Sequence, residues 1–324
     1  MIKLAVIGAG RMGNAHARVL KNRNDCKISG VFDTSKEVAK KFATEHSETR
    51  IYPSLAALAA DSSIDGVLVC NYSDQHYATI VELLKAGKKN IFCEKALVNR
   101  LADGVDLLKR ARAAKAKILV GHHRRHMPGN ARLRQIIESG DLGRIRMLKV
   151  SYCHPGYSRE WGEFFSDFER SGGVTLDMMS HIFDLLNWYF GLPVSACGRG
   201  IMFKRPMDKP MDYISGTLSY KNGIICNIDG SWQRHGVGYD KIEIYGDKAC
   251  AIYDYGDRIQ LYRKDEHTEI SLPSPSVHAE QMNAFISMIR DGASPLVSLR
   301  DGFDSVRVAL GLLTAAKTGK TFQY

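Results

Sequence analysis

Short apolar runs alternate with amphipathic stretches along the first 120 residues of the chain. Runs such as IKLAVI and GVLVC have the length of buried strands, and the stretches between them show helical spacing. This alternation is typical of a parallel sheet covered by helices on both faces. We predict strands over residues 2–7, 27–32, 66–70, 90–93 and 117–121, with helices over residues 12–20, 75–86 and 101–114.

The pattern changes after about residue 143. Segments such as RIRMLKVSY, YISGTLSY and KIEIYGD alternate apolar and polar residues, and NG and GD turns separate them. These segments predict a large open, mostly antiparallel sheet in a second α/β domain. Helical stretches cover residues 175–190, 277–290 and 302–316, and the last is long enough to pack back onto the first domain.

Length and composition narrow the class of protein. The 324 residues, 44% of them hydrophobic, suffice for two domains with separate cores. No run reaches the roughly 18 apolar residues of a membrane span, and the chain opens on a strand-like segment, so a cytoplasmic location is expected. The seven cysteines are scattered without a CxxC spacing, which favours reduced thiols.

The net charge of +10 is concentrated in one segment. Residues 109–134 contain nine Lys or Arg side chains and no Asp or Glu. The helical part of this segment reads best as a solvated helix face. Since no nucleic-acid-binding motif accompanies the charge, we expect neither a nucleic acid nor a membrane as partner.

A glycine motif follows the first predicted strand. In LAVIGAGRMGNAHARVL, Gly8, Gly10 and Gly13 form GxGxxG between a strand and a helix. The first glycine permits a tight turn, the second lets the backbone approach a pyrophosphate, and the third lets helix and strand pack closely. The motif therefore predicts a dinucleotide-binding domain.

An acidic residue completes this motif. Asp33 ends the next strand, where a carboxylate can bond the adenosine ribose hydroxyls and repel a 2′-phosphate, which favours NAD. NADP is not excluded, because Arg11, Ser35 and Lys36 could hold a phosphate. The cofactor-binding residues predicted in this part of the chain are Gly8, Gly10, Arg11, Met12, Gly13 and Asp33.

An acid and a base, Glu94 and Lys95, directly follow the strand over residues 90–93. At the carboxyl end of a parallel strand they would face the ligand crevice of the sheet. There the Lys95 ammonium could stabilise negative charge developing on a substrate oxygen, with Glu94 holding it in place. Taken alone, the pair would read better as a surface ion pair.

A second polar pair, Asp177 and His181, has helical i, i+4 spacing in SGGVTLDMMSHIFDLLNWYFG. One helix face would carry both, which suits an acid/base histidine with a carboxylate beside it. A merely solvent-facing pair is the usual alternative. A metal site is not predicted, because Arg124 and Arg125 within HHRRH would repel a cation.

These motifs together resemble the Gfo/Idh/MocA oxidoreductase family. GAGRMG, AGKKNIFCEKA and GGVTLDMMSH carry the resemblance, which covers nearly the whole chain. The family implies an N-terminal Rossmann domain and a C-terminal α/β domain with a large open sheet. We place the Rossmann domain over residues 1–121, the substrate-binding and oligomerisation domain over residues 122–295, and a C-terminal helix that packs back on the first domain over residues 296–324. The family also implies a substrate pocket against the nicotinamide and a homodimer or homotetramer.

The resemblance assigns roles by position. His181 would be the general base toward a substrate hydroxyl, with Lys95 bonding the same oxygen and Asp177 assisting. The resemblance also implies that Asn71, Ser73 and His76, in the loop after a sheet strand, line the nicotinamide half of the cofactor. Glu94 joins the cofactor-binding set. The family's EKP proline is Ala96 here, so the restriction that the proline places on the backbone must come from elsewhere.

A further set of side chains could bind hydroxyl groups, stack on a ring or bind an anion, and is predicted to line the substrate pocket. Tyr and Trp on a sheet face are as often core or interface residues. The arginines suggest a charged substrate such as a sugar acid, sugar phosphate or nucleotide sugar. The predicted substrate-binding residues are Arg124, Arg125, Tyr152, His154, Tyr157, Trp232 and Arg234.

We therefore predict an NAD-dependent oxidoreductase that moves hydride between the nicotinamide and a secondary alcohol or ketone of a sugar, cyclitol or nucleotide sugar. One alternative is a relative that reduces a C=C or C=N bond. Another is a non-catalytic dinucleotide-binding regulator, although a regulator would need none of Lys95, Asp177 and His181.

Overall fold

The computed structural model describes residues 1–21, 23–46, 49–154, 164, 167–202, 212–232 and 238–324. The chain forms two compact units. The first unit comprises Met1–His123 and Ser276–Phe303, and the second comprises Arg124–Pro275 and Asp304–Tyr324. None of the described helices is both long and apolar enough to cross a membrane.

A six-stranded parallel sheet forms the centre of the first unit, with the strand order β3-β2-β1-β4-β5-β6. This order reverses direction between β1 and β4, so the carboxyl ends of these strands flank a crevice suited to a ligand. The predicted strands agree with the observed ones to within a residue, which confirms the predicted parallel sheet. The strands are β1 Ile2–Ile7, β2 Cys26–Phe32, β3 Arg50–Ile51, β4 Gly66–Val69, β5 Asn90–Cys93 and β6 Lys117–Val120.

Helices connect and cover these strands. Short buried runs in the sheet pack against apolar helix faces, and the resulting core includes Leu4, Phe92, Leu119 and Phe285. The helix α2 and the short α3 were not predicted. The helices within this unit are α1 Arg11–Leu20, α2 Lys36–Glu45, α3 Leu55–Ala60, α4 Ser73–Lys85, α5 Leu101–Ala113 and α10 Val277–Arg290.

The second unit contains a nine-stranded sheet with the order β14-β13-β12-β11-β7-β10-β9-β8-β15. In the part of the chain that the structure describes, β7 and β10 form its one parallel pair, and the other neighbours are antiparallel. The predicted open, mostly antiparallel sheet is therefore confirmed. The strands are β7 Ile145–Cys153, β8 Ser195–Ile201, β9 Tyr213–Ser219, β10 Ile225–Ser231, β11 Tyr239–Gly246, β12 Cys250–Tyr253, β13 Arg258–Tyr262, β14 His267–Ser271 and β15 Phe322–Gln323.

The helix predicted over residues 175–190 is wrong as a single element. The chain forms α8 Gly173–Asp177 and α9 Ser180–Phe190, with a break at Met178 and Met179. The N–H groups of both methionines donate to the Val174 carbonyl, so the helical bonding does not advance at this step. Two further helices of this unit are α6 Pro128–Ser139 and α7 Phe168–Ser171.

The last long helix, α11, spans Leu299–Thr318 and is longer than the predicted helix over residues 302–316. The boundary between the two compact units falls within it, after Phe303. The first segment of the first unit ends at His123, two residues after the predicted domain boundary at residue 121. A second segment, Ser276–Phe303, also belongs to this unit. The functional division into three segments stays a prediction.

Candidate functional site

The three motif glycines lie in distinct surroundings at the carboxyl end of β1. Gly8 has φ of +86°, and a Cβ there would lie 2.4 Å from the backbone nitrogen of Asn71. A Cβ on Gly13 would lie 2.3 Å from the Gly8 carbonyl oxygen. A Cβ on Gly10 would meet nothing within 4 Å. Gly8 and Gly13 are therefore required by packing, whereas Gly10 leaves open space at the start of α1, where a pyrophosphate can approach.

The Asp33 carboxylate is fixed by two backbone groups. Its Oδ2 accepts a hydrogen bond from the Ala9 N–H at 2.8 Å, and its Oδ1 accepts from the Ser35 N–H at 2.9 Å. A carboxylate offers about four lone-pair sites, so each oxygen retains capacity for a ribose hydroxyl. This arrangement joins the carboxylate to the glycine loop and suits an unphosphorylated adenosine ribose.

Asn71 presents an acceptor at the other side of the glycine loop. Its Nδ2 donates to Thr79 Oγ1 at 3.0 Å, whereas its buried Oδ1 has no partner among the residues that the structure describes. A buried acceptor without a donor is costly unless a ligand supplies one. An amide N–H group of a nicotinamide would suit this oxygen, so the residues present fit NAD.

The structure places the remaining predicted cofactor residues on two helix starts. Arg11 and Met12 are the first residues of α1. Ser73 begins α4, and His76 lies within it, so the segment predicted as a loop is helical. His76 is completely buried, and backbone carbonyl oxygens of Asn71 and Ala96 lie within 3.0 Å of its ring nitrogens. Both ring nitrogens thus face protein oxygens, and a contact between His76 and the cofactor stays a prediction.

Glu94 and Lys95 follow β5 as predicted, but they do not form a simple surface pair. Glu94 is only 7% exposed, and Lys95 is the one residue within 91–98 that is not buried. His16 Nε2 lies 2.7 Å from Glu94 Oε1. Burial by itself raises the pKa of Glu94, but the His16 hydrogen bond and the charges of His16 and Lys95 lower it to about 2. The peptide bond between Lys95 and Ala96 is cis.

Asp177 and His181 lie on either side of the helix break in the second unit. Asp177 is the last residue of α8, and His181 is the second residue of α9. His181 is buried, at 6% exposed, and Asp177 is half-buried. The predicted single helical face therefore does not exist, and the break sets the direction of each side chain separately. Their catalytic roles stay predictions.

Arg124 is held by a buried network in the second unit. Its Nη2 donates to Tyr152 Oη at 2.7 Å and to Asp240 Oδ2 at 2.6 Å. Its guanidinium also lies 4.3 Å from the ring centroids of both Tyr152 and Tyr255. Asp240 Oδ1 lies 2.7 Å from His154 Nε2. The structure brings three of the predicted substrate-binding residues together, Arg124, Tyr152 and His154, and the positive charge of Arg124 is compensated within the protein.

Arg125 has its own buried carboxylate. Its Nε and Nη2 donate to the two oxygens of Asp184 at 2.9 and 2.7 Å, and the two side chains are 3% and 0% exposed. Trp232 is also buried, at 3% exposed, which favours a packing role. Tyr157 and Arg234 lie outside the described residues. Substrate contact by any member of the predicted set stays a prediction.

Metal ligands are not grouped in the described part of the chain. No cluster of three or more His, Cys, Asp or Glu side chains there has an arrangement that could hold a metal ion. The histidines of HHRRH divide between the two units, because His122 and His123 belong to the first and His126 to the second.

The sequence matches two family models that together span most of the chain. Residues 2–122 match an oxidoreductase family with an NAD-binding Rossmann fold, and residues 130–252 match the GFO/IDH/MocA C-terminal domain. The chain belongs to the Gfo/Idh/MocA oxidoreductase family. This membership confirms the resemblance seen in the sequence motifs. The protein is therefore an NAD-dependent oxidoreductase.

Named relatives of this Gfo/Idh/MocA oxidoreductase extend over almost its whole length. The myo-inositol 2-dehydrogenase of Thermotoga maritima is 28% identical over 330 residues, covering 98% of this chain and 95% of that protein. The inositol 2-dehydrogenase of Rhizobium meliloti is 29% identical over 326 residues, covering 95% of this chain and 94% of that protein. The crystal structure of the WlbA dehydrogenase from Bordetella pertussis with NADH and UDP-GlcNAcA matches with a TM-score of 0.88. It is 20% identical and covers 100% of this chain and 97% of that chain, which shows a shared fold.

Sequence reasoning missed several residues that shape the site of the oxidoreductase. His16 stands in the motif helix, yet no local pattern indicates that it pairs with Glu94, 78 positions away. The carboxylates of Asp184 and Asp240 are likewise distant in sequence from the arginines they neutralise. A usable signal existed only for Asp184, because a charged residue within the apolar run HIFDLL requires a buried partner.

Proposed function

We propose that this Gfo/Idh/MocA oxidoreductase oxidises a secondary alcohol of an uncharged polyol, with a cyclitol such as myo-inositol as the first candidate. The two inositol dehydrogenases that match almost the whole chain support this substrate class. NAD, when bound, accepts the hydride from the carbinol carbon. The observation that carries the proposal is that Lys95, after the end of β5, is half-buried whereas every other residue within 91–98 is buried.

An uncharged substrate is favoured by the pairing of the two arginines. The sequence suggested a charged substrate because Arg124 and Arg125 stand together. Each is instead bonded to a buried carboxylate, Arg124 to Asp240 and Arg125 to Asp184. A guanidinium already neutralised in this way gives little net attraction to an anionic group. The finding supports a neutral polyol over a sugar acid or sugar phosphate.

We assign the chemical roles as follows. His181 takes the proton of the substrate hydroxyl as a general base, as its position in the family motif implies. Lys95 donates a hydrogen bond to the same oxygen and stabilises the negative charge that develops as the hydride leaves. Asp177 assists the orientation of His181 and the transfer of its proton.

The same family membership supports a homo-oligomer. We propose a homodimer or homotetramer, and light scattering coupled to size-exclusion chromatography measures its mass. A monomer at working concentrations would contradict this part of the proposal.

Formation of NADH tests the proposed function. Purified protein is mixed with NAD and a panel of inositols, free sugars, sugar acids, sugar phosphates and UDP-sugars, and absorbance at 340 nm is followed. We expect NADH with an inositol or another neutral polyol. Turnover confined to phosphorylated, carboxylated or UDP-linked substrates would contradict the neutral class. NAD binding without turnover in either direction would favour the regulator.

A further inference from the structure

Two buried histidines contact the segment Glu94–Ala96 from different helices. His16 comes from α1 and His76 from α4, and each is 0% exposed. The segment directly follows β5, and Lys95 lies in it between Glu94 and Ala96, the two residues that the histidines contact. Since a small displacement of a catalytic group lowers the rate strongly, whatever fixes this segment affects the reaction.

The first histidine fixes the carboxylate of Glu94. Its Nε2 lies 2.7 Å from Glu94 Oε1, and Glu94 Oε2 accepts the backbone N–H of Lys95 at 3.2 Å. A Cβ on Gly121 would lie 2.9 Å from the same Oε2, so the chain after β6 also packs directly against it. Both oxygens of Glu94 are therefore engaged, and its side chain has little room to move.

The surroundings of His16 indicate which proton it carries. Its Nδ1 has no hydrogen-bond partner within the described part of the chain, and its ring packs edge-on against Phe92 and His278 at centroid distances of 4.8 and 5.4 Å. The 2.7 Å contact with a carboxylate oxygen assigns a proton to Nε2, so His16 donates from Nε2 to Glu94.

Several charged or titratable groups surround Glu94. Burial raises its pKa, whereas the His16 hydrogen bond lowers it, and the charges of His16, Lys95 and His123 act in the same direction. The carboxyl group is consequently ionised at neutral pH beside Lys95. The titratable side chains that face it from the surrounding elements are His16, Cys70, His76, Cys93, Lys95, His123 and His278.

The second histidine fixes the other end of the segment. His76 Nδ1 lies 2.8 Å from the Ala96 carbonyl oxygen, and Nε2 lies 3.0 Å from the Asn71 carbonyl oxygen. Burial lowers the pKa of His76, against the effect of the two carbonyl groups, so one nitrogen carries a proton. We assign that proton to Nδ1, which makes the shorter contact. His76 therefore donates to the Ala96 carbonyl oxygen, and this hydrogen bond holds the end of the segment.

We infer that His16 and His76 are positioning residues for the hydride-transfer reaction, and that they act by holding Glu94 and Ala96 so that Lys95 stays fixed between them. The inference rests on the proposed role of Lys95. We class both as positioning residues, because the groups that they bond belong to the protein segment around Lys95. We call His16 and His76 together the histidine clamp.

Matched variants separate the clamp from general packing. In His16→Gln an amide N–H takes the place of Nε2–H, and in His16→Leu no donor is left. We expect kcat of His16→Leu to fall about tenfold or more, with KM and NAD affinity near wild type, and kcat of His16→Gln to stay within about threefold. His76→Asn, whose amide replaces Nδ1, and His76→Leu give the same comparison should a His16 variant not fold.

One kinetic readout would not move if the histidines were merely structural. In a Lys95→Met background, His16→Leu should cause no further loss of kcat. Equal losses in Gln and Leu variants, or full additivity with Lys95→Met, would overturn the clamp.

A chemical measurement keeps this inference separate from the proposed function. Labelling of Lys95 by acetic anhydride, relative to the exposed Lys85, is followed by peptide mass spectrometry. We expect labelling to rise at least about threefold in His16→Leu, because the segment that carries Lys95 is no longer held in place, and to stay unchanged in His16→Gln. If wild type turns over no substrate but labelling changes as expected, the proposed function fails and the clamp stands. Unchanged labelling alongside normal turnover would reject the clamp alone.

Discussion

Asp184 and Arg125 form a two-point ion pair in which neither side chain reaches solvent: Oδ1 and Oδ2 of the carboxylate accept from Nη2 and Nε at 2.7 and 2.9 Å. Removal of one partner would leave the other charge buried without compensation. The pair is therefore important for stability whether or not Arg125 touches a substrate.

Asp184→Ala should destabilise the fold by about 3–5 kcal/mol, because it removes the buried carboxylate that binds the guanidinium of Arg125 at two points. Urea unfolding monitored by circular dichroism measures the change. Asp106→Ala is the matched control, since Asp106 pairs with Arg110 at an exposed position and should cost no more than about 1 kcal/mol. Similar losses for the two variants would contradict the account of the buried pair.

Gly8→Ala and Gly10→Ala should have different effects although they stand two residues apart. A Cβ at Gly8 meets the Asn71 backbone and requires a left-handed conformation, so Gly8→Ala should lose more than about 2 kcal/mol of stability. The free energy of unfolding of Gly10→Ala should stay within about 0.5 kcal/mol of the wild-type value, whereas its NAD affinity should fall at least about tenfold. Thermal unfolding and calorimetric NAD titration distinguish the two. Normal NAD affinity in Gly10→Ala would argue against a pyrophosphate at this position.

Asp33→Ser should weaken NAD binding by about tenfold and narrow the preference for NAD over NADP, because the charge that repels a 2′-phosphate is removed. Titration with both dinucleotides measures this ratio. Asp25→Ser, which removes a partly exposed carboxylate paired with Arg23, serves as the control and should leave the ratio unchanged. An unaltered ratio in Asp33→Ser would remove Asp33 from cofactor selection.

Lys95→Met should lower kcat by roughly 10²-fold or more while NAD affinity stays near wild type, since the ammonium acts on the substrate oxygen as charge develops. Stopped-flow absorbance at 340 nm gives the rate, and calorimetry gives the affinity. Lys85→Met, at an exposed position in α4, should behave as wild type. If Lys95→Met raised KM alone, Lys95 would be a binding residue and not a catalytic one.

His181→Ala should also lose roughly 10²-fold or more in kcat, and part of the loss should be recovered by added imidazole, which can replace the missing base. Asp177→Asn should lose less, because it removes only an assisting carboxylate. Steady-state kinetics with and without imidazole tests both statements. Full activity in His181→Ala would remove that residue from the mechanism.

The fold was predictable from the sequence wherever a local pattern of apolar residues or a short motif determines the structure. Apolar runs placed five of the six strands in the sheet of the first unit to within a residue but missed the short β3. The GxGxxG motif with Asp33 predicted an NAD-binding domain. Long-range pairing was not predictable, because the sequence does not state which carboxylate meets which arginine. Arg124 and Arg125 thus suggested a charged ligand, whereas Asp240 and Asp184 neutralise them.

Helix continuity was the other point at which sequence reasoning failed. The spacing of Asp177 and His181 fits one helix, and apolar residues around them continue the helical pattern without interruption. The break at Met178 and Met179 has no proline or glycine to signal it, and backbone bonding to Val174 creates it. Tertiary packing determines such a step, whereas propensity is only a weak guide.

Transfer of a labelled hydride shows whether a carbinol carbon of the substrate is the hydride donor. The oxidoreductase is incubated with NAD and myo-inositol deuterated at its carbinol carbons, and the NADH formed is analysed by mass spectrometry. We expect the nicotinamide to carry deuterium and turnover to be slower than with unlabelled substrate. Reduced cofactor without deuterium would contradict direct hydride transfer from a carbinol carbon. Absence of NADH with myo-inositol and with every other neutral polyol would contradict the proposed substrate class.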